Sequence, residues 1–281
     1  MSVCPSRRSM LGILCAGVAL GASPLRVAEA LAAPSSKLLD PKWQATGSGG
    51  DPDYSPWADF LATWLRPQDG GVTLVDYAGA KAAGASTPLD EWLLAMQNVD
   101  PTALSAEAAM AWWVNLYNAA TIKLVLDHYP TKSILRIKGG LFNTGPWDEP
   151  VVTVNGDALT LNNVEHGILR PIWRDPRIHY AVNCASIGCP DLMAKPWTSA
   201  TLDADLDAGA RRYVNHPRGA RVDSGQLIVS KIYTWFEEDF GGSSGGIIAH
   251  LRSYAEGDLA GQLAGIGRIS NSEYDWDLNG A

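Results

Sequence analysis

The sequence predicts an α+β fold: a single globular domain in which helices flank a small mixed or antiparallel sheet, with one long buried central helix. Three observations carry this expectation. Between Ala108 and Leu126 nearly every position of "SAEAAMAWWVNLYNAATIKLVLDHYP" is apolar, the pattern of a helix covered on most sides. Short β-like runs alternate with helical patterns in mixed order, and no repeat is visible. Hydrophobic residues make up 46% of the chain and charged ones 19%, a core-forming composition.

The N-terminus reads as an export signal rather than as part of the fold. In "SRRSMLGILCAGVALGA" the pair Arg7-Arg8 precedes an uncharged apolar stretch, Met10 to Ala22, and small residues follow up to "AEALAAP". The apolar run is short of the roughly 20 residues of a membrane span. Adjacent arginines after a serine resemble a twin-arginine signal, with an ordinary secretory leader as the alternative. Residues 1–32 are thus expected to be cleaved near Ala32 or Ala33, leaving the protein periplasmic or secreted. The twin-arginine translocase would be its partner during export. Leu14 before Cys15 is not the small residue a lipid anchor wants, so no membrane anchor is expected after cleavage. Cys4 and Cys15 leave with the leader, and the two remaining cysteines would meet an oxidising compartment that permits a disulfide. Losing three arginines and one glutamate moves the net charge from -8 to -10. A chain this acidic is a poor partner for nucleic acid or anionic lipid surfaces.

Residues 33–52, rich in Pro, Ser and Gly, read as a flexible linker, and residues 53–281 as the domain. "SPWADFLATWLR" begins with a capping serine and a first-turn proline, a helix start. "GGVTLVDYAGAKAA" reads as a strand running into a helix, and "TPLDEWLLAMQN" as a helix with proline near its first turn. Ser105 caps the long central helix and Pro130 stops it. "VVTVNGDALTL" is a hairpin around Asn155-Gly156-Asp157. "LNNVEHGILRPIW" reads as a short helix ended by Pro171, "RIHYAVNC" as a strand, and "ATLDADLDAGARRYVNH" as a helix. "GQLIVSKIYTWF" is a strand passing into a short helix, and "GGIIAHLRSYA" is the last clear helix.

Polar groups inside apolar patterns are the candidate site. Asn115 and Asn118 lie three apart on the central helix. Either they line a site and orient a ligand or a catalytic histidine, or they tie the helix to loop backbone such as "GGLFNTG", the commoner use of buried asparagine. Glu165 falls within the arc formed by Leu161, Val164, Ile168 and Leu169, and His166 beside it. Glu165 is then a buried acid, an orienter of an imidazole, or the partner of Arg170, Arg174, Arg177 or Lys231. A strand at "RIHYAVNC" would put His179, Ala181 and Asn183 on one face and Cys184 on the other, which makes His166 the better partner for Cys184.

Cys184 and Cys189 flank "ASIG" and allow three uses. A disulfide fits, because the turn can bring the two Cα atoms within about 7 Å. A thiolate nucleophile at Cys184 would draw on His166, Glu165 and Asn115. A metal site would need two more ligands, so neither a metal nor a cofactor is expected. No G-x-S-x-G, Walker loop, H-E-x-x-H or G-x-G-x-x-G competes with these. Of the eleven tryptophans, Trp57, Trp64, Trp92, Trp112 and Trp113 sit at core positions, while Trp147, Trp173, Trp197 and Trp276 flank turn residues and are candidates for exposure.

Four stretches, "AWWVNLYNAATIKLVLDHYP", "LTLNNVEHGILRP", "DPRIHYAVNCASIGCPDL" and "VSKIYTWFEEDFGG", resemble the domain of unknown function 547 family in order and spacing, over about residues 70 to 255. The sequence departs from the family pattern at Ile187-Gly188, where Lys-Ser or a similar pair is usual. The resemblance implies motif positions at Asn115, Tyr117, Asn118, Glu165, His166, Arg170, Arg177, His179, Cys184, Cys189, Pro190 and Asp239. That inventory is similar to those of papain-like and transglutaminase-like thiol enzymes.

Two functions follow as expectations. The first is an exported cysteine-dependent hydrolase or acyl transferase acting on a peptide, glycan or small amide of the cell envelope. Cys184 would be its nucleophile, His166 its base, Glu165 or Asn115 the orienter, and backbone amides of the Gly188 turn the oxyanion donors. Asn118, Tyr117, His179, Arg170, Arg177 and Asp239 would bind the ligand. The alternative is a non-catalytic envelope module for peptide or glycan with a structural Cys184–Cys189 disulfide and an aromatic binding platform.

Overall fold

A computed structural model describes Met1, residues 34–137 and residues 145–281. The expected leader with its cleavage position, and all of "GGLFNTG" before Gly145, lie outside these residues.

The architecture is α+β, as the sequence predicts. Helices α1 (Ser55–Trp64), α2 (Tyr77–Ala82) and α3 (Ser86–Gln97) gather around α4 (Ala106–His128). Ser105 caps α4 by accepting a hydrogen bond from the Ala108 amide, and residues Ala108 to Ile122 are buried without a break. A helix apolar on every side has no solvent face, so the chain must wrap it completely. Trp43 meets Trp113 edge-on, and Trp57 stacks on Trp92. The stretch expected as a linker is part of that wrapping: Trp43 is buried, and Gly47 and Gly49 donate to the carbonyls of Leu104 and Ala103.

Strands are short, and among the described residues three of the four pairings join neighbours in sequence. β1 (Leu65–Pro67) pairs with β2 (Thr73–Val75), and β3 (Pro150–Val154) with β4 (Asp157–Thr160) across the predicted turn, where Asn155 and Gly156 both take positive φ. β5 (Ala220–Asp223) runs antiparallel to β6 (Gln226–Ser230), which continues into α7 (Lys231–Trp235). β7 (Asn271–Glu273) adds to β6 in parallel. Helices α6 (Leu202–Val214), α8 (Ser244–Tyr254) and α9 (Gly257–Leu263) pack on this sheet around a second core, which includes Tyr213, Tyr233, Phe240 and Leu251. The last residues then cross back: Asn279 donates to the Ala185 carbonyl, and Val75 exchanges hydrogen bonds with Asn279 and Ala281.

Two elements differ from expectation. "RIHYAVNC" is not a strand. Pro176–Tyr180 form a 3-10 turn, after which the chain is irregular, so the alternating faces assigned to His179 and Cys184 do not exist. The reason lies just upstream: Asp175 accepts from the Arg177 amide and Pro176 occupies the first turn, a helical start signal that outweighs the β-branched and aromatic residues after it. Pro171 does not end its helix either. A π-helical turn, Asn163–Leu169, precedes it and continues into α5 (Arg170–Trp173), which places the proline in a first turn where it is tolerated. Trp197, expected at the surface, is buried, while Trp147, Trp173 and Trp276 are half-buried.

The second core contains a group that links folding to pH. His250 Nε2 lies 2.7 Å from the Tyr180 hydroxyl and the ring is packed among Tyr180, Phe240 and Tyr254. Burial lowers its pKa from 6.5 to about 4; Asp175 opposes the shift and His179 assists it. Between these values the unfolded chain binds the extra proton, so the contribution is complete above about pH 6.5 and is lost as pH falls towards 4. Chemical denaturation of wild type should lose about 2–3 kcal/mol more than His250→Gln over that window. Equal losses in the two proteins would show that His250 does not set the acid limb.

Candidate functional site

After the 3-10 turn the chain from Ala181 to Pro196 has no strand or helix to satisfy its backbone. Buried asparagines replace the missing ladder, since backbone groups removed from water must be paired. Asn118 donates to the Ala181 carbonyl (2.9 Å) and accepts from the Asn183 amide (2.8 Å). Asn115 brackets Trp197 in the same way, at 2.8 and 3.0 Å. Asn183 in turn donates to the Pro190 carbonyl (2.7 Å) and accepts from the Ala185 amide (2.8 Å) and from Asn279 (3.3 Å). Both central-helix asparagines therefore act as ties to loop backbone. The loops are 181–183 and Trp197.

This frame holds a closed ring. Cys184 and Cys189 form a disulfide with Cα atoms 6.3 Å apart. Ala185 inside the ring has φ +60°, an uncommon backbone for a residue with a side chain, fixed by its bond to Asn183. Amides of the ring are taken: Ile187 and Gly188 donate to the carbonyls of Asp277 and Asp275, and Cys189 to Ser186. The oxyanion role expected of the Gly188 turn is thus not open to those amides in this structure. The Tyr274 hydroxyl lies 3.0 and 3.1 Å from the two sulfurs and 2.8 Å from Ser186 Oγ, and burial raises its pKa well above the usual tyrosine value.

Beside the disulfide lies a set of acids and imidazoles. Tyr117 donates to Glu165 Oε2 (2.9 Å), while Glu165 Oε1 is 3.8 Å from His179 Nδ1 and 4.0 Å from His166 Nδ1. His179 Nε2 is 2.7 Å from Asp239 Oδ2, and the ring stacks on Phe236. Arg170 is the hub. Buried at 3% exposure, it donates to Asp239 (2.6 Å), Glu238 (2.6 Å), His166 Nδ1 (3.0 Å) and the Pro34 carbonyl (2.8 Å). Burial lowers the His166 pKa, Arg170 and His179 add to the effect, and Glu165 and Asp239 oppose it. Because Nδ1 accepts from Arg170, the neutral ring carries its proton on Nε2. For Asp239, burial alone would raise the carboxyl; hydrogen bonds from His179 and Arg170 outweigh it and hold the group below the usual range.

The π-helical turn that carries Glu165 and His166 is fastened from outside. Pro171 has no N–H to return to the turn before it. The carbonyls of His166 and Gly167 accept instead from Lys37 (3.1 Å) and Leu39 (2.8 Å). Gly167 permits this approach, because a Cβ there would lie 3.0 Å from the Leu39 Cβ.

These parts surround one cavity of about 400 Å³. Glu165, His166, His179, Tyr117, Cys184 and Cys189 line it, as does an aromatic cluster of Trp147, Trp235, Tyr274 and Trp276. Asn115, Asn118, Arg170, Arg177 and Asp239 are not lining residues. Arg170 and Asp239 support the two imidazoles from behind, and Arg177 pairs with Asp175, Asp203 and Asp207. Of this aromatic cluster the sequence offered Trp147 and Trp276 as candidates for exposure and did not single out Trp235 or Tyr274. The spacing of Tyr274 and Trp276 in "EYDWD" places both on one side of an extended segment, a period-two signal that was there to use.

Residues 101–214 match the model of a family described as "Protein of unknown function, DUF547". That match supports the DUF547 family. The matched span carries the asparagine ties, Glu165, both cavity imidazoles and the disulfide, whereas Asp239 and the Tyr274–Trp276 segment lie beyond the DUF547 match. No curated protein and no solved structure matches the chain.

Two substitutions test this construction. Asn183→Ala leaves the Pro190 carbonyl, the Ala185 amide and Asn279 without their partner, and should cost about 3 kcal/mol in urea denaturation. A loss below about 1 kcal/mol would mean that the loop holds itself. Gly167→Val should release the 34–39 segment, seen as faster proteolysis within residues 34–45 at unchanged helical circular dichroism; an unchanged cleavage rate would show that the segment is held elsewhere.

Proposed function

We propose that this protein is an exported, ligand-binding domain of the cell envelope, whose cavity takes a small amphipathic peptide or glycan fragment. One observation carries the reading. A single cavity of about 400 Å³ combines an aromatic cluster with hydrogen-bonding acid and imidazole groups, while the Cys184 sulfur is bonded to Cys189. Apolar surface with a few fixed polar groups is the composition of small-molecule sites. The disulfide, the Arg170 network and the asparagine ties make the site rigid before any ligand arrives, which lowers the ordering cost of binding. Export through the twin-arginine route fits the leader and supplies the oxidising compartment that such a bond needs.

The cysteine-dependent hydrolase or acyl transferase is the second reading, favoured by one fact: Cys184, His166 and Glu165, drawn from separate segments, line the same cavity. It requires an external dithiol to open the disulfide. It also requires a base, and His166 is poorly equipped, with Nδ1 accepting from Arg170 and the proton on Nε2. His179, polarised by Asp239, would serve better.

Mature protein isolated without reductant and alkylated before and after reduction should gain its two cysteine labels only after reduction, by intact mass. The same protein titrated with envelope peptide and glycan fragments should change its tryptophan fluorescence saturably, and Trp276→Leu should lose the response. Fast native labelling at Cys184, with ester hydrolysis that appears on reduction and disappears in Cys184→Ala, would replace the binding reading with the enzymatic one.

A further inference from the structure

The lining of the cavity is uneven in charge. Its ionisable members among the described residues are Glu165, Asp148, the two imidazoles, the paired cysteines and the two tyrosines; none is Lys or Arg. The nearest cation in the network, Arg170, directs its donors to Asp239, Glu238, His166 and the Pro34 carbonyl, and its charge is matched by two carboxylates. Glu165 gives only Oε2 to Tyr117, and its Oε1 stands 3.8 Å or more from either imidazole, with capacity to receive a partner.

The aromatic cluster points the same way. Ring centroids are 4.6 Å apart for Tyr274 and Trp276, 4.8 Å for Trp235 and Tyr274, 5.5 Å for Trp235 and Trp276, and 6.4 Å for Trp147 and Trp276. Their planes are inclined to one another by 35° to 58°, so the cluster offers several differently directed faces and edges rather than one flat stack. Ring faces carry the negative end of the aromatic quadrupole and attract cations, tryptophan most strongly. A neutral sugar could stack on the rings and donate hydroxyls to Glu165 and Asp148, which already accept from Tyr117 and Asn162, but it would not use their charge; an anion would meet repulsion from both.

We propose that the cavity is selective for an organic ammonium ion, its alkylated cationic head held by the Trp147, Trp235, Tyr274 and Trp276 cluster and its charge matched by Glu165 and Asp148. This rests on the reading of the cavity as a ligand site and narrows the ligand to one chemical class.

The test uses choline and its uncharged isostere 3,3-dimethylbutanol as probes, titrated into the mature protein with tryptophan fluorescence and calorimetry as readouts. Choline should bind at least about tenfold more tightly than the isostere. Glu165→Gln should erase most of that difference, and Trp276→Leu should weaken choline by a similar factor, each variant first checked for native circular dichroism. Should Glu165→Gln fail to fold, exposed Asp148→Asn should reduce the preference alone. Equal binding of the two probes, or binding of envelope peptide and glycan fragments with none of choline, would overturn the cation selectivity and leave the ligand site standing. Absence of any saturable response to probes and fragments alike would overturn both.

Discussion

The structure depends on a small number of buried asparagine side chains that stand in for a missing sheet. The segment carrying the two cysteines crosses the core without regular structure, and a buried backbone without partners would cost more than the domain can tolerate. Asn115, Asn118 and Asn183 supply those partners, and the first two can do so because the central helix holds them at fixed height and angle. The unbroken burial of that helix is therefore more than a hydrophobic device. It makes the helix a rigid rail whose polar rungs set the loop, and the loop sets the sulfur atoms. Asn279 extends the arrangement to the C-terminal segment, so Tyr274 and Trp276 reach the cavity through the same network.

Much of the fold is legible in the residues themselves. Ser105 and Asn155-Gly156 are local signals whose meaning does not depend on distant chain, and each appears where the pattern puts it. The misreadings arise where a local cue is overruled. "RIHYAVNC" has β-type residues, yet Asp175-Pro176 starts a turn ahead of them. Pro171 carries a stop signal that a π-helical turn disarms, and the freed carbonyls are met by residues more than a hundred positions away. That pairing has no sequence signature. For the site, the members of the acid and imidazole group were visible as polar residues in apolar patterns, whereas the aromatic cluster needed the return of the C-terminal segment, which only tertiary packing reveals.

Charge within the site is arranged by Arg170. A buried guanidinium is costly unless each donor is occupied, and here two carboxylates, an imidazole nitrogen and a carbonyl occupy it. The consequence for the cavity is indirect but definite. Arg170 fixes the His166 tautomer and helps to hold Asp239 ionised beside His179. One residue that never lines the cavity thus decides what both imidazoles can donate or accept.

That division separates the two chemical readings more sharply than the disulfide does. A disulfide can be opened by a dithiol, but the tautomer of His166 is set by a buried ion network that reduction leaves in place. With Nε2 protonated, His166 is a hydrogen-bond donor at neutral pH, suited to a ligand carbonyl or hydroxyl. His179 has its Nε2 engaged by Asp239 and its Nδ1 near Glu165, the arrangement of an imidazole held between two acids. Both rings are thus fixed from outside the cavity: His166 is left with Nε2 as its free donor, and the two nitrogens of His179 are already directed at Asp239 and Glu165.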